Sequence, residues 1–352
     1  MRARRCVDGA AAVLATVLIA PVVASPRQSA PPAGALGPFT EEQRAAINTG
    51  AAVVEVLRER DEDFAVAGVV STSVASERLV AWSRHIEELQ RGRYVPLIQR
   101  FSTPPTIDDL SALILGDKDL EDLRECRPGR CGLKLSASEI LQMNNAIAGG
   151  RRRWREAALE AFRAITLARV RAFQASGFRG LAAYDDEEDP VDPSVEFDRM
   201  LGHRADNGLF TQRVGDYLRG LSRGPAEGEE SIYFWSKDLL GDAKPVISVT
   251  HLSILHGVSG EPTVVAAVQV FATHYINASV SLTAIVGCRD DDRRYLVYLR
   301  RSRVDVFGGT FGGLVRHVVK KRVRAEGPPV LEAMRVKLEG GLPSPKATTY
   351  PR

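Results

Sequence analysis

An α+β fold, with an antiparallel sheet, a long C-terminal helix and an inserted helical segment, is predicted by three features of this 352-residue sequence. Runs rich in Val, Ile, Thr and Tyr fill Val246 to Asp305 and are separated by turn residues, the pattern of antiparallel strands. From Ser136 to about Gln174 apolar residues recur every three or four positions, as packed helices require. A single helical pattern then runs from about Phe311 to Glu339, with a possible break at Pro328-Pro329.

The elements follow in order. Residues 1–24 read as a secretory signal: Arg2, Arg4 and Arg5 precede an apolar run from Ala10 to Ile19, and small residues lead to Ala24, after which cleavage is expected. The run falls short of the roughly 20 apolar residues of a membrane span, and Cys6 precedes it, so no lipid anchor is indicated. The expected location is periplasmic or secreted. Loss of the leader removes three Arg and one Asp, taking the net charge from +3 to +1 and leaving no electrostatic case for nucleic acid. Residues 25–38 form a Pro/Ala-rich tether, 39–341 a single α+β domain with 136–240 as its helical insertion, and 342–352 a tail.

Within the domain, Thr40 and Gln43 make a capping box for a helix reaching about Arg60. A strand over Phe64 to Val70 and a helix from Ser73 or Ser76 to Gln90 come next, then short strands at Val95–Phe101 and Leu110–Leu115. Leu120 to Leu135 reads as strand or loop, folded at Pro128-Gly129. Ser136 and Glu139 cap a helix pair that Gly149-Gly150 divides; Asp192-Pro193 opens a helix to Leu201, and Phe210 to Leu221 forms another. The final strands are Val246–His256, Thr263–Val286 and Arg293–Asp305. Even positions of Thr263–Val286 are apolar apart from His274, while Gln269, Thr273, Asn277, Ser279, Ser281 and Thr283 are polar, which predicts one covered and one solvated face.

Three cysteines follow the leader. Cys126 and Cys131 flank Pro128-Gly129, a turn that brings them within reach of a disulfide in an oxidising compartment; the competing zinc reading lacks a second Cys or His pair. Cys288 is left as a free buried thiol.

The element order, and above all Tyr295-Leu-Val-Tyr-Leu-Arg-Arg-Ser-Arg-Val-Asp305 followed by Gly308-Gly309 and the last helix, resembles the helix-grip fold of START-type lipid-binding domains. The likeness covers residues 62–135 and 244–340 and implies an apolar ligand held between the sheet and the C-terminal helix. The chain also resembles a family of exported bacterial proteins of unknown function, through Cys126-Arg-Pro-Gly-Arg-Cys131 with Lys134, Tyr233-Phe-Trp-Ser-Lys237, Lys244-Pro245, Thr250-His251 and His274-Tyr275. That second likeness implies no activity.

Hairpin counting selects the candidate site. If Gly257–Pro262 is a turn, His251 faces Val268; if Gly287–Asp292 is a turn, Val286 faces Arg293 and His274 faces Asp305. His274, Arg303 and Asp305 then cluster on the apolar face with Arg301 at the border, suited to an acidic headgroup or to proton transfer by His274 oriented by Asp305. The competing reading is an ion pair pinning strand ends to a helix, and a one-residue bulge dissolves the cluster. His251 lies about 20 Å from His274 along the strand, too far to share a metal.

Other motifs carry less. The glycines at 308, 309, 312 and 313 lack the Lys-Ser or Lys-Thr of a phosphate loop, and Asp185–Asp189 lacks the oxygen alternation of a calcium loop. Arg316, Lys320 and Arg324 repeat along the last helix, either for peripheral contact with anionic lipid or as a solvated face. No cofactor, metal or catalytic motif is indicated. The expected function is an exported binding protein for a lipid or other apolar ligand; a cofactor-independent enzyme using His274 and Asp305 and an envelope interaction protein are the alternatives.

Overall fold

The computed structural model describes residues 38–57, 62–202, 209–224, 230–239, 241, 243–258, 261–287, 293–308 and 312–343. The leader, nearly all of the tether and tail, and Cys288 lie outside the described residues.

Helix α1 (Glu41–Asn48) has the expected capping box, Thr40 accepting from the Gln43 N–H and Gln43 accepting from the Thr40 N–H. It ends at Asn48 instead of continuing toward Arg60. Gly50 turns the chain at φ +99°, and the β-branched Val53, Val54 and Val56 join the sheet as strand β1 (Val53–Val56). Strand β2 (Asp63–Thr72) leads to α2 (Ser76–Ser83) and α3 (Ile86–Gln90), then to β3 (Leu97–Arg100). Where a strand is expected at Leu110–Leu115, the Thr106/Asp109 capping box instead starts a 3-10 turn (Ile107–Leu110), and Leu110, Leu113 and Leu115 enter the core from a loop. Leu120 and Leu123 lie one helical turn apart in α4 (Asp117–Glu125), which replaces the first part of the expected strand or loop.

Cys126 and Cys131 form the disulfide, in a turn closed by an Arg127–Arg130 bridge. Helices α5 (Ala137–Gly150) and α6 (Trp154–Ser176) divide at the glycine pair; α7 (Pro193–Gly202) and α8 (Gln212–Gly220) follow. The expected helical insertion stops short of residue 240, because Tyr233-Phe-Trp lies inside strand β4 (Glu230–Asp238). Beyond β5 (Val246–Leu255), the long strand expected at Thr263–Val286 is two: β6 (Val264–Ala272) and β7 (Ile276–Gly287), reversed at Thr273-His274-Tyr275 with Tyr275 at φ 63°. Periodicity continues across so short a turn, which hides it from sequence. Strand β8 (Arg294–Val304) ends in a 3-10 turn, Asp305–Phe307, before α9 (Gly312–Glu339). Helix α9 runs through Pro328 and Pro329. The carbonyls they leave free, four residues back, belong to the exposed Arg324 and Ala325, where water can serve them.

The eight strands form one antiparallel sheet in the order β1-β2-β8-β7-β6-β5-β4-β3. The α+β class with a long C-terminal helix is therefore as expected, and the arrangement is consistent with a helix grip. Both faces of the sheet are covered. On one, Val264, Ala266, Val268, Val280, Leu282 and Ala284 pack in a core with Phe162, Val170, Phe173, Phe178 and Phe197 of the inserted segment. On the other, Val265, Ile285 and Leu296 pack with Trp82, Leu89, Leu331 and Leu338, and Val56, Phe64 and Val66 with Phe307 and the half-buried Val315, Val319 and Val323. Two expectations change. The uniformly apolar face looks at the inserted helices and not at α9, and the face expected to be solvated is largely closed: Asn277, Ser279 and Thr283 are all buried.

Candidate functional site

His274, Arg303 and Asp305 do not meet. Val286 pairs with Tyr295 instead of Arg293, and a bulge between Ile276 and Ala278 shifts the register again toward the turn. His274 sits in that turn and faces Asp119 of α4, Nε2 to Oδ1 at 3.1 Å, both side chains buried. Asp305 takes Lys134 at 2.7 Å. Arg303 is held by three carboxylates: Glu62 at 2.8 Å, Asp63 at 3.1 Å and Glu196 of α7. Each predicted residue thus joins a sheet end to a different segment. Burial works against charge on Lys134, but Asp305 and Asp186 outweigh it and hold the ammonium above its usual value.

Beside this rim a cleft of about 600 Å³ is lined by Asp122, Glu125, Arg130, Cys131 and Asp186–Asp189. Its wall is tied together by backbone bonds from Gly129 and Cys131 to Asp185 and Asp186. Among the described residues no group of three His, Cys, Asp or Glu side chains is placed to hold a metal ion.

His251 does face Val268, as counted. It is fully buried on the inserted-helix side, stacked on Tyr233 at 4.6 Å, and its Nε2 meets the hydroxyls of Ser231 at 2.9 Å and Ser253 at 3.2 Å. Burial pushes its pKa down to about 3, so the ring is neutral. Nδ1 of His251 and the Tyr233 hydroxyl are both sealed without a hydrogen bond among the described residues. A neutral ring with no group orienting its second nitrogen is a poor general base.

The residues that sequence reasoning missed lie on the sheet face against which α9 packs. Along β4, β7 and β8 the positions on that face change from apolar to polar toward the end where α9 begins. On β8 the series is Leu296, Tyr298, Arg300, Ser302; on β7 it is Ile285, Thr283, Ser281, Ser279; on β4 it is Ile232, Phe234, Ser236, Asp238. Gln269 on β6 and Thr250 and Ser248 on β5 complete the band, Thr250 lying opposite Gln269. The hydroxyls bond across strands: Ser279 to Ser302 at 2.9 Å, Ser236 to Ser248 at 3.1 Å, with Arg300 Nε donating to Ser279 and Ser302 and Asp238 accepting from Ser236 and Ser248. Burial raises the Asp238 carboxyl above its ordinary range; the two serine bonds and the charge of Arg300 oppose it without prevailing. The turn after β4 brings the Gly241 backbone against the Arg322 guanidinium of α9.

The α9 cations are partly engaged. Arg324 binds Glu55 at 2.7 Å and Arg316 lies over the Phe307 ring at 5.2 Å, while Leu314 and Val318 are exposed. Among the described residues no helix is long and apolar enough to cross a membrane. No family model, curated protein or solved structure matches the chain.

Proposed function

We propose that the protein is an exported binding protein that holds an amphiphilic small molecule between the sheet and α9. The ligand's polar head rests on the band from Asp238 to Ser302, and its apolar part lies along the cluster around Leu331 and Leu338. One observation carries this reading: on the sheet face against which α9 packs, β4, β7 and β8 change from apolar to polar side chains toward one end, and β5 and β6 add Ser248, Thr250 and Gln269. A helix that merely packs on a sheet gains from apolar contact and loses where hydroxyl, carboxyl and guanidinium groups are desolvated beneath it, so a polar floor there suits a ligand better than a plain core. The START-type likeness argues for the same location. Relative to the sequence expectation of an apolar ligand, the floor calls for a molecule with a hydrogen-bonding head, an anionic or carbonyl group to which Arg300 donates.

Native mass spectrometry of the chain purified from a bacterial periplasm tests the proposal. The expected result is a bound molecule that is lost on solvent extraction and is absent from Arg300→Leu and Asp238→Leu proteins of unchanged circular dichroism. Wild-type protein at its bare mass, unable to take up any fraction of a lipid extract, removes the reading.

A further inference from the structure

Arg301 lies on the opposite face of β8 from that band, and what surrounds it differs from the surroundings of Lys134, Arg169 and Arg303 among the described residues. It is 5% exposed. Across the neighbouring strands it faces Ala65 and Val280; along the same face of β8 the apolar Leu299 precedes it, and Arg303 with its three carboxylates follows. The half-buried Phe210 ring covers it, with the guanidinium carbon 5.8 Å from the ring centre. Nη1 is sealed from solvent without a hydrogen bond, and no ion pair joins Arg301 to any described carboxylate.

The contrast with its neighbours is informative. Lys134, Arg169 and Arg303 are as deeply placed or nearly so, and each has a carboxylate in contact: Asp305, Glu139 and the Glu62/Asp63/Glu196 set. The acid that acts on Arg301 from a distance, Asp63, is already bound to Arg303 at 3.1 Å. A guanidinium carries its charge at every physiological pH and presents a planar fork matched to two oxygens, so burying one with no oxygen partner costs stability that a purely structural role does not return.

We propose that Arg301 is an anion-binding residue, on which a carboxylate or phosphate group of a small ligand docks beneath the Phe210 ring. The fork supplies two charge-assisted bonds, the ring shields them from water, and the apolar floor of Ala65, Val280 and Leu299 strengthens them by its low polarity. This site is independent of the polar band that includes Arg300, because alternation along β8 turns Arg300 and Arg301 to opposite sides of the sheet.

The test is thermal unfolding of the full chain and of Arg301→Met and Arg301→Lys, titrated with sodium phosphate and separately with sodium octanoate, against sodium chloride at equal ionic strength. Wild-type protein should show a saturable rise in midpoint with one of the two probes; phosphate alone identifies an inorganic or phosphoryl ligand, octanoate alone a fatty carboxylate. Arg301→Met should melt higher than wild type in chloride, since an unpaired buried charge is gone, and should lose the anion response. Arg301→Lys keeps the charge without the fork and should bind about tenfold more weakly, the equivalent of one charged hydrogen bond. The proposal is overturned if neither probe exceeds the chloride control, if the Met protein responds like wild type, or if it melts lower in chloride. Should the Met protein fail to fold, an unchanged anion response in the Lys protein overturns it equally.

Discussion

Lys134 reaches Asp305 at 2.7 Å from a position that its own backbone fixes, its N–H donating to the carbonyl of Thr273 at the mouth of the β6–β7 turn. The ammonium is 3% exposed and the carboxylate 18%. Removing the cation alone strands a partly buried acid, so Lys134→Met should lower unfolding stability by about 3 kcal/mol in urea titration. Lys134→Met with Asp305→Leu should recover most of that loss. Equal losses in the single and double variants would show that the pair does not act as a unit.

Asp119 is the partner of His274 and also lies 3.7 Å from Lys244. Asp119→Ala leaves the buried His274 without its acid, while Lys244 keeps Asp122, and should cost about 3 kcal/mol, whereas Asp119→Asn, which keeps a hydrogen-bonding oxygen, should cost less. Chemical denaturation of the two variants measures the difference.

The disulfide closes a short loop, and its removal should cost about 2 kcal/mol by chain entropy. The wild-type urea midpoint should fall when a reducing agent is added, to the value found for Cys126→Ser with Cys131→Ser. Because Cys131 also lines the acidic cleft, protease cutting near Asp186–Asp189 should quicken on reduction.

His251 gives the chain a specific acid sensitivity. Its folded pKa, about 3, lies below the ordinary 6.5, so the unfolded chain takes up a proton over a range in which the fold refuses it. Stability contributed by the neutral ring is therefore complete above about pH 6.5 and declines as pH falls toward 3, by about 1.4 kcal/mol per pH unit. His251→Gln should remove that slope from the pH profile of unfolding, and a profile identical to wild type would contradict the burial argument.

Asp238 has the opposite sign. Burial raises its folded pKa, so its favourable contribution is present at low pH and is lost as pH rises through the folded value. Asp238→Asn should therefore gain stability relative to wild type at pH 8 more than at pH 4, by differential scanning calorimetry, while weakening capture of the proposed ligand.

Much of the fold can be read from local chemistry. Thr40 with Gln43 and Ser136 with Glu139 announce their helices because a capping box is a contact three residues long, complete within the chain segment that contains it. The pairing of His251 with Val268 was legible for the same reason: the turn between them is short, and counting survives. The rest depends on distant partners. Nothing near Val53 says that this run will pair with Val69 instead of extending α1, and Tyr233-Phe-Trp reads as core material whether helical or extended. The predicted cluster at His274 is dissolved by the offset that pairs Val286 with Tyr295, by the reversal at Tyr275 and by the bulge between Ile276 and Ala278, since each moves a whole strand against its neighbour. The polar band is present in the alternation of Ser236/Asp238, Ser279/Ser281 and Arg300/Ser302, but its meaning requires knowing that these strands belong to one sheet and turn these positions to the same face.

Strand β2 is hydrogen-bonded to β8, Val69 lying against Val297, while β1 clings only to β2. A growing polypeptide cannot complete its central scaffold until the final sixth of its length has been delivered, and the ring of neighbours closes by joining near-opposite ends of the chain. Assembly is thereby postponed: early segments must stay soluble while unpaired, folding should be slow for a protein of this size, and a transcript cut short anywhere before Arg294 should yield no native product at all.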